Sequence, residues 1–341
     1  MLQQVMTAPG KIEFREIPVP EINANQVLIK MMHIGICGSD IHVNHGKHPF
    51  TSYPVTQGHE VSGEIVKIGS GVKDFKPGQK VTVQPQVVCG KCYPCRNGKY
   101  NLCEELKVMG FQTTGMASHF FAADAEKVVA LPDAVSLVEG AMIEPLAVAV
   151  HAIRQAGDVA GKKIVVLGAG PIGNLVAQTA KGLGAAEVMI TDISTFRLRK
   201  AAECGVDHCV NTGVENLGDA IAKAYGPDKA DVIYDCAGNN ETMGQAIRYA
   251  RKGSVIILVA VFASMATIDL AVANDHELDI NSSMMYRRED YLTAIELVEA
   301  KKVSLMPLVS KTYPFQRFAD AYQFIDENRD STLKVIINVQ E

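Results

Sequence analysis

Four of the eight cysteines in this 341-residue chain fall within the segment VVCGKCYPCRNGKYNLC. Their spacing, Cys89-x2-Cys92-x2-Cys95-x7-Cys103, places four thiols on one compact loop. Four thiolates close a tetrahedral zinc shell and leave no coordination position for water or substrate. We therefore expect a zinc ion here to organise the loop and to take no part in catalysis. An iron–sulfur cluster uses similar spacing, and a redox pair of thiols is a third interpretation.

A second group of potential ligands is spread more thinly. It consists of Cys37 in GICGSDIH, His59 and Glu60 in GHE, and Glu144 in IEPLAVAVHA. Each has an ordinary explanation by itself, because a lone Cys or His usually packs in a β-rich segment and a Glu before Pro often begins a helix. Together, a thiolate, an imidazole and a carboxylate make an open zinc site that keeps one position for water or substrate. His59 should then donate its second ring N–H to a backbone or carboxylate oxygen.

A glycine-rich sequence in the middle of the chain reads Gly168-Ala169-Gly170-Pro171-Ile172-Gly173. It lies between a buried strand, KKIVVLGAG, and a helix, PIGNLVAQTAKGLGA, and in that context it predicts a dinucleotide site. Gly168 permits the tight turn, Gly170 lets a pyrophosphate approach the backbone, and Gly173 lets helix and strand pack closely. The N-terminus of the helix then presents its N–H groups to the phosphates.

Asp192 ends the next strand, EVMITD, nineteen residues after Gly173. An acidic side chain at this place accepts the hydroxyls of the adenosine ribose and repels a 2′-phosphate, which favours NAD over NADP. Arg197 could weaken that preference by binding a phosphate, or it could lie over the adenine or in solvent. The competing interpretation of Asp192 is a cap on the helix that begins near Ser194.

Two kinds of scaffold are needed to position these residues. The first third of the chain contains β-rich runs such as QVLIKMMHIGI and HEVSGEIVKIGS, broken by Gly and Pro, which suggests a small β-barrel. From about Gly161, strands alternate with helices, which predicts a parallel sheet covered on both faces. The closing strand LKVIINV is expected to return to the first domain. We predict one domain at residues 1–147, completed by 288–341, and a second at 148–287.

The bulk composition lowers the prior for several classes of protein. Hydrophobic residues make up 48%, charged residues 21%, and the net charge is −5, so the basic surplus of a nucleic-acid-binding protein is lacking. The most apolar run, VIILVAVFA, has about half the length that a membrane span needs, and the N-terminus lacks a signal-peptide pattern. We expect a cytoplasmic protein without nucleic-acid or membrane partners. Clustered cysteines there bind metal more often than they form disulfides.

Five motifs occur in order over nearly the whole chain: GICGSDIH, GHEVSGEIVKIGSGV, CGKCYPCRNGKYNLC, IEPLAVAVHA and VLGAGPIG…TD. In this combination the sequence resembles the zinc-dependent medium-chain dehydrogenases of the alcohol dehydrogenase superfamily, closest to the sorbitol (polyol) and threonine dehydrogenase branches. The resemblance implies a GroES-like β-barrel catalytic domain and a Rossmann domain with a doubly wound parallel sheet that binds NAD. It also implies two zinc ions per chain, one catalytic and one structural. A homodimer or homotetramer is expected, joined through the dinucleotide-domain sheets at an edge strand near VIILVAVFASMATIDLAVA.

The resemblance also assigns roles to individual residues. It implies that Cys37 and His59 are catalytic zinc ligands. Glu60 is a ligand in the polyol branch and a nearby carboxylate elsewhere, and Glu144 contacts zinc in that branch directly or through water.

Three further residues have weaker expectations. Ser39 matches the proton-relay hydroxyl of the family. His42 could pass that proton to solvent through the nicotinamide ribose, or it could be a surface imidazole. Lys334 matches a position that can meet the cofactor pyrophosphate, or it is an ordinary surface lysine.

The implied reaction is the reversible oxidation of a secondary alcohol of a polyol, sugar acid or other sugar derivative to a ketone. The nearest alternative is L-threonine 3-dehydrogenase, although threonine enzymes usually carry a His shortly before the first structural cysteine, where this chain reads QPQVVC. Tyr286, Arg287 and Arg288 could contact sugar hydroxyls or a carboxylate, or could form a solvated turn. A catalytically silent NAD-binding or structural relative is the alternative from another class, and such relatives typically lose a catalytic ligand.

Overall fold

The computed structural model describes residues 1–341 and divides into two compact units. Unit 1 consists of Met1–Glu144, Arg287–Ile295 and Val309–Glu341. Unit 2 consists of Pro145–Tyr286 and Glu296–Leu308. The two groups of candidate metal ligands therefore lie in unit 1, and the glycine-rich motif lies in unit 2.

Unit 1 begins with nine strands and short helices. The strands are β1 (Leu2–Ala8), β2 (Lys11–Glu16), β3 (Gln26–Ile36), β4 (Glu60–Ile68), β5 (Lys80–Val83), β6 (Gln86–Val87), β7 (Lys107–Val108), β8 (Phe120–Asp124) and β9 (Val128–Ala130). The helices are α1 (Gly38–Asn44), α2 (Tyr93–Arg96), α3 (Leu137–Ala141) and α4 (Ile143–Arg154), which starts at the boundary with unit 2.

Unit 2 alternates strands with helices. Its strands are β10 (Lys163–Leu167), β11 (Glu187–Asp192), β12 (His208–Asn211), β13 (Val232–Asp235), β14 (Val255–Leu258) and β15 (Asp279–Ser282). Its helices are α5 (Pro171–Gly182), α6 (Thr195–Glu203), α7 (Leu217–Tyr225), α8 (Asn240–Tyr249) and α9 (Leu270–Asp275). All strand pairs are parallel, and the order β12-β11-β10-β13-β14-β15 is that of a doubly wound dinucleotide fold. The predicted parallel sheet is confirmed.

The glycine-rich motif lies at the point in the sheet where the strand order reverses, because the chain adds strands first on one side of β10 and then on the other. β10 has β11 on one side and β13 on the other, and Gly168 follows its last residue. The strand sequence KIVVL is buried at every position after Lys163, as expected for a parallel strand with both faces covered. Ligands of such sheets bind outside the carboxyl ends of the strands at this switch point.

The remaining elements complete unit 1. They are α10 (Arg288–Glu299), β16 (Val309–Pro314), α11 (Phe318–Glu327) and β17 (Lys334–Asn338). β17 pairs parallel with β16 and antiparallel with β3, in a sheet of order β16-β17-β3-β4-β5-β9 with β8 also on β3. The closing strand thus belongs to unit 1, and it occupies an interior position in the sheet. No helix is both long and apolar enough to cross a bilayer.

The expected edge of the unit 2 sheet needs a correction. The apolar strand VIIL of β14 is covered by β15, so the edge strands are β12 and β15. The chain passes through α9 and crosses back to add one further parallel strand, DINS. That strand is short and mostly polar, and no hydrophobic pattern in the sequence indicated it.

Candidate active site

The four clustered cysteines form a compact thiol site in unit 1. Their sulfur atoms all lie within 4.8 Å of one another. The loop that carries them runs from β6 through α2 to β7, and β6 and β7 pair with each other and close its base. The backbone N–H groups of Cys89 and Cys92 donate to the sulfurs of Cys103 and Cys89, each at 3.3 Å. This donor set fits a closed tetrahedral zinc site.

A second group of ligand atoms meets at the adjoining ends of β3 and β4. A thiol sulfur of Cys37, a ring nitrogen of His59 and a carboxylate oxygen of Glu60 lie within 4.8 Å of one another. Cys37 caps the N-terminus of α1 directly after β3, and Glu60 is the first residue of β4. His59 and Glu60 are buried, and Cys37 is half-buried. The mixed donor set fits the open zinc site expected from the sequence.

Asp40 contacts two of the three candidate ligand residues, Cys37 and His59. Its carboxylate accepts the backbone N–H of Cys37 at 2.9 Å and lies 3.5 Å from Nδ1 of His59. The amide of Gln57 donates to Asp40, and the hydroxyl of Tyr322 donates to Gln57 at 2.8 Å. A carboxylate therefore faces the imidazole, as expected for a ligating histidine.

The surroundings of His59 favour positive charge. Burial by itself would lower the pKa of His59, but the charge of Asp40 and the interactions with Asp40 and Cys37 outweigh burial and raise the pKa well above its usual value. The same negative surroundings favour a bound cation. Both the negative charge around His59 and the identity of the donor atoms therefore favour a bound metal ion at this site.

Lys334 is a buried residue of the site, which corrects its interpretation as a surface lysine. Its ammonium nitrogen lies 2.7 Å from both carboxylate oxygens of Glu60, and it also donates to the carbonyl oxygen of Ile36 at 3.3 Å. The two charged side chains are 3% and 1% exposed. Burial would lower the pKa of Lys334, but the charges of Glu60 and Cys37, with the hydrogen bonds to Glu60, raise it.

The other residues predicted for this site lie on the helices α1 and α4. Glu144 is buried in the first turn of α4 and contributes to the field at Lys334, but the compact set of three ligand atoms does not include it. Ser39 is half-buried in the first turn of α1, and His42 is exposed one turn later on the same helix. Residues three apart share one side of a helix.

The predicted dinucleotide motif has the geometry that its glycines require. Gly168 has φ +97°, and a Cβ on Gly173 would lie 1.8 Å from the carbonyl oxygen of Gly168. Gly170 precedes α5 without any side-chain cap, and no heavy atom lies within 4 Å of the place its Cβ would take. Pro171 and Ile172 form the first turn of α5. Open space at an uncapped helix N-terminus fits a pyrophosphate.

Asp192 is fixed at the end of β11 by backbone N–H groups. Its two carboxylate oxygens accept from Ala169 and Ser194, each at 2.8 Å. The cap of α6 is Ser194, whose hydroxyl accepts the N–H of Arg197, so helix capping does not explain Asp192. A guanidinium nitrogen of Arg197 lies 3.8 Å from Asp192. Each oxygen retains a lone pair that can accept a ribose hydroxyl.

An aromatic wall adjoins the metal-ligand group in unit 1. The ring of Phe111 lies 4.8 Å from that of His59, and His48 stacks on Phe111 at 4.6 Å. Phe111 also borders a surface cavity of about 640 Å³. Hydroxyl and amide side chains supply much of the remaining wall, among them Thr56 and Gln112.

Residues 286–288 make contacts within the protein. Tyr286 is fully buried, and the N–H of Arg287 donates to Asp290 in the first turn of α10. The guanidinium of Arg288 donates to the carbonyl oxygens of Glu126 and Val128.

Gly35 pairs with Glu60 across β3 and β4, and a Cβ on Gly35 would lie 2.2 Å from Oε2 of Glu60. Sequence reasoning missed Asp40, Gly35 and Phe111 as parts of the site. Asp40 had a readable signal, because an acidic residue three positions after Cys37 fits a helix-capping pattern. Gly35 and Phe111 had none, since their importance comes from pairing across strands and from ring contacts.

Comparison with known proteins agrees with the fold and the candidate metal sites described above. Residues 23–133 match the family model of the alcohol dehydrogenase GroES-like domain, and residues 171–300 match that of zinc-binding dehydrogenases. The chain is 34% identical over 341 residues to sorbitol dehydrogenase of Ovis aries, which covers 98% of this chain and 96% of the relative. The chain belongs to the zinc-dependent medium-chain dehydrogenases. The GroES-like and Rossmann architecture predicted from the sequence is thereby confirmed.

Two further similar proteins extend the comparison. The chain is 35% identical over 306 residues to 2-dehydro-3-deoxy-L-galactonate 5-dehydrogenase of Pseudoalteromonas atlantica, with 89% of each chain covered. An alcohol dehydrogenase structure from Escherichia coli CFT073, complexed with NADH, is 30% identical with a TM-score of 0.92, covering 99% of both chains.

Proposed function

We propose that this medium-chain dehydrogenase uses zinc and NAD to oxidise a secondary alcohol of a polyol, sugar acid or other sugar derivative to a ketone, reversibly. The observation that carries the proposal is the meeting of the half-buried Cys37 with the buried His59 and Glu60 within 4.8 Å, in a chain that also builds a dinucleotide turn. The relatives acting on sorbitol and on a galactonate derivative support the substrate class.

The residues of unit 1 would hold the catalytic zinc and move the proton. Cys37, His59 and Glu60 would be the ligands, with Glu144 close to the site. Bound zinc supplies Lewis-acid polarisation of an alcohol oxygen, and bound NAD supplies a hydride acceptor. The hydroxyl oxygen of Ser39 would take the substrate proton, and the exposed imidazole of His42 would release it to solvent.

The residues of unit 2 would hold NAD. The N–H groups at the start of α5 would bind the pyrophosphate over Gly170, beside Pro171 and Ile172. Asp192 would accept from the adenosine ribose and disfavour a 2′-phosphate. The nearby Arg197 offsets part of that charge, which tempers the preference for NAD over NADP.

The comparisons do not favour L-threonine as the substrate. A catalytically silent relative is disfavoured because Cys37, His59 and Glu60 are retained together.

We assign the catalytic role to residues 1–147 with 288–341, NAD binding to residues 148–287, and structural zinc to Cys89, Cys92, Cys95 and Cys103. We further propose a homodimer or homotetramer. Val261 and Met265, in the segment after β14, are 92% and 97% exposed, and exposed apolar side chains favour association. The thiol ligands suit the reducing cytoplasm, which we propose as the location.

A substrate screen with metal analysis tests the proposal. NAD reduction is measured across polyols, aldonic acids, sugar phosphates and threonine, with zinc counted per chain. We expect turnover of a sugar-derived alcohol, two zinc ions per chain, and loss of both activity and one zinc in Cys37→Ser. Cys209→Ser, in unit 2, is the matched control and should retain both. Turnover that persists in Cys37→Ser after zinc removal would refute the mechanism.

A further inference from the structure

The contact between His59 and Asp40 is longer than an ordinary hydrogen bond. Nδ1 of His59 lies 3.5 Å from Oδ1 of Asp40, beyond the usual range of an N–H···O bond, and it has no other partner at hydrogen-bond distance. Both side chains are buried, so water does not replace the bond that is not fully made. The surroundings of Asp40 must therefore explain why its oxygen is only partly available to the imidazole.

A second donor uses the same carboxylate oxygen. The side-chain amide of Gln57 donates to Oδ1 of Asp40 at 3.3 Å, and to the backbone carbonyl oxygen of Asp40 at the same distance. The other carboxylate oxygen, Oδ2, accepts the backbone N–H of Cys37 at 2.9 Å. Oδ1 is therefore shared between the amide of Gln57 and the imidazole of His59.

Tyr322 on α11 fixes the direction of the Gln57 amide. Its hydroxyl donates to Oε1 of Gln57 at 2.8 Å, and Gln57 and Tyr322 are 0% and 3% exposed. Burial, together with the charge of Asp40, raises the pKa of Tyr322 well above its usual value, so the hydroxyl keeps the proton that it donates. A rotated amide would bring Oε1 of Gln57 against two oxygens of Asp40. The three residues thus form one directed chain of hydrogen bonds that ends at Asp40.

The strength of the contact between His59 and Asp40 matters for a bound metal. Nδ1 faces Asp40, which leaves Nε2 of His59 as the nitrogen for the metal. A carboxylate that accepts the N–H of a ligating imidazole makes the ring a stronger donor to the metal, and such partners change metal affinity by about 10- to 100-fold. A stronger ring donor also leaves the metal a weaker Lewis acid toward a substrate oxygen. A second donor on the same carboxylate oxygen opposes both effects.

We propose that Gln57, oriented by Tyr322, is a positioning residue that limits the hydrogen bond between Asp40 and His59 and thereby limits how tightly His59 binds the catalytic zinc. The role assigned to Gln57 rests on the proposed function. Without the amide, Oδ1 of Asp40 is left to the imidazole, and His59 holds zinc more tightly. A residue that only supported the fold would have the opposite effect, because its loss would loosen the site and weaken zinc binding.

The test is Gln57→Met, which keeps the volume of the side chain and removes its amide. The catalytic-site zinc is defined as the fraction that Cys37→Ser lacks, and its affinity is measured by competition with a chromophoric chelator. We expect zinc to bind on the order of tenfold more tightly in Gln57→Met, with a shifted d–d spectrum after cobalt substitution. The value of kcat should fall while KM changes less, because the substrate oxygen is polarised less.

Tyr322→Phe tests the same chain of hydrogen bonds from its other end. It removes one hydroxyl and leaves the Gln57 amide free to turn away from Asp40, so zinc should again bind more tightly, by a smaller factor. Tyr313→Phe, which changes another buried tyrosine of unit 1, is the matched control and should keep the wild-type affinity and spectrum. Tyr322→Phe decides the matter should Gln57→Met fail to fold.

An Asp40→Asn background separates this chain of hydrogen bonds from a general disturbance of the site. Gln57→Met should cause no further change in zinc affinity there, because the carboxylate that the two donors share is absent. Wild-type or weaker zinc binding in Gln57→Met, or in Tyr322→Phe if that variant alone folds, would overturn the inference. Tightening that persists in the Asp40→Asn background would overturn it as well.

The proposed function fails separately. A wild-type protein that binds no Cys37-dependent metal would refute both proposals at once. Normal zinc binding and turnover of a sugar-derived alcohol, with no tightening in Gln57→Met, would refute the inference alone.

Discussion

The backbone of Gly168 and the Cα of Gly173 touch so closely that a Cβ on Gly173 would lie 1.8 Å from the Gly168 carbonyl oxygen. Gly170, between them, has no heavy atom within 4 Å of its Cβ position. Two glycines of one motif therefore have different roles. Gly173 permits close packing of helix and strand, and Gly170 leaves space for a ligand to approach the backbone.

Alanine substitutions should separate these two roles. Gly173→Ala should destabilise the protein by about 1–3 kcal/mol, because an added methyl forces α5 away from β10. Gly170→Ala should melt at the wild-type temperature and bind NADH about tenfold more weakly, since its methyl occupies the phosphate approach. Thermal melting and NADH fluorescence titration measure both. Equal effects of the two variants on melting would contradict the distinction.

Asp192→Ala should lower the preference for NAD. The variant loses an acceptor for ribose hydroxyls and leaves the N–H groups of Ala169 and Ser194 without this partner. We expect the KM for NAD to rise on the order of tenfold, and the KM for NADP to rise less, because repulsion of the 2′-phosphate is also lost. Asp192→Asn, which keeps one acceptor oxygen and the volume, should fall between. An unchanged ratio of the two KM values would exclude Asp192 as the determinant.

Cys95→Ser should remove the structural zinc alone. Zinc content is expected to drop from two ions to one, and the melting temperature should fall because metal binding to such a loop is part of its folding free energy. Cys204→Ser, which replaces a half-buried thiol of unit 2, is the control and should keep both ions. Full stability after loss of this zinc, combined with lost turnover, would argue that the cluster has a catalytic role.

Cys204 and Cys209 should be slow to alkylate near neutral pH. Burial raises the pKa of each thiol to about 11, with smaller contributions from the charges of Glu203 and Asp207. Since the thiolate is the nucleophile, its fraction is about a thousandth at pH 8 and rises about tenfold per pH unit toward pH 11. Iodoacetamide labelling followed by mass spectrometry reads each site. Labelling as fast as free cysteine at pH 8 would refute the shift.

Local motifs carried most of what the sequence could predict. The glycine-rich turn, the four clustered cysteines and the alternation of strands and helices each depend on neighbours within about thirty residues. The strand β15 could not be predicted from the sequence, because DINS has neither apolar alternation nor a continuous apolar run.

The pairing of Lys334 with Glu60 could not be read in the same way. These residues are 274 positions apart, and only the insertion of β17 between β16 and β3 brings them together. A lysine opening a closing strand often lies at an exposed edge, so a surface lysine is one of the two interpretations that the sequence allows, beside contact with the cofactor pyrophosphate. Here the strand is interior, and the lysine is buried with its charge paired.

The placement of β17 also sets an order of assembly. The end of β3 near Ile36 pairs with β17 near Val335, so this part of the sheet is complete only when β17 is present. Most of unit 2 is one continuous segment, Pro145–Tyr286, and all strands of its sheet pair within that segment. During synthesis, the segment Pro145–Tyr286 emerges before β17, and the ion pair of Lys334 with Glu60 forms only after β17 has left the ribosome. We therefore expect nascent chains that end before β17 to bind zinc at the four-cysteine loop before Glu60 is paired with Lys334.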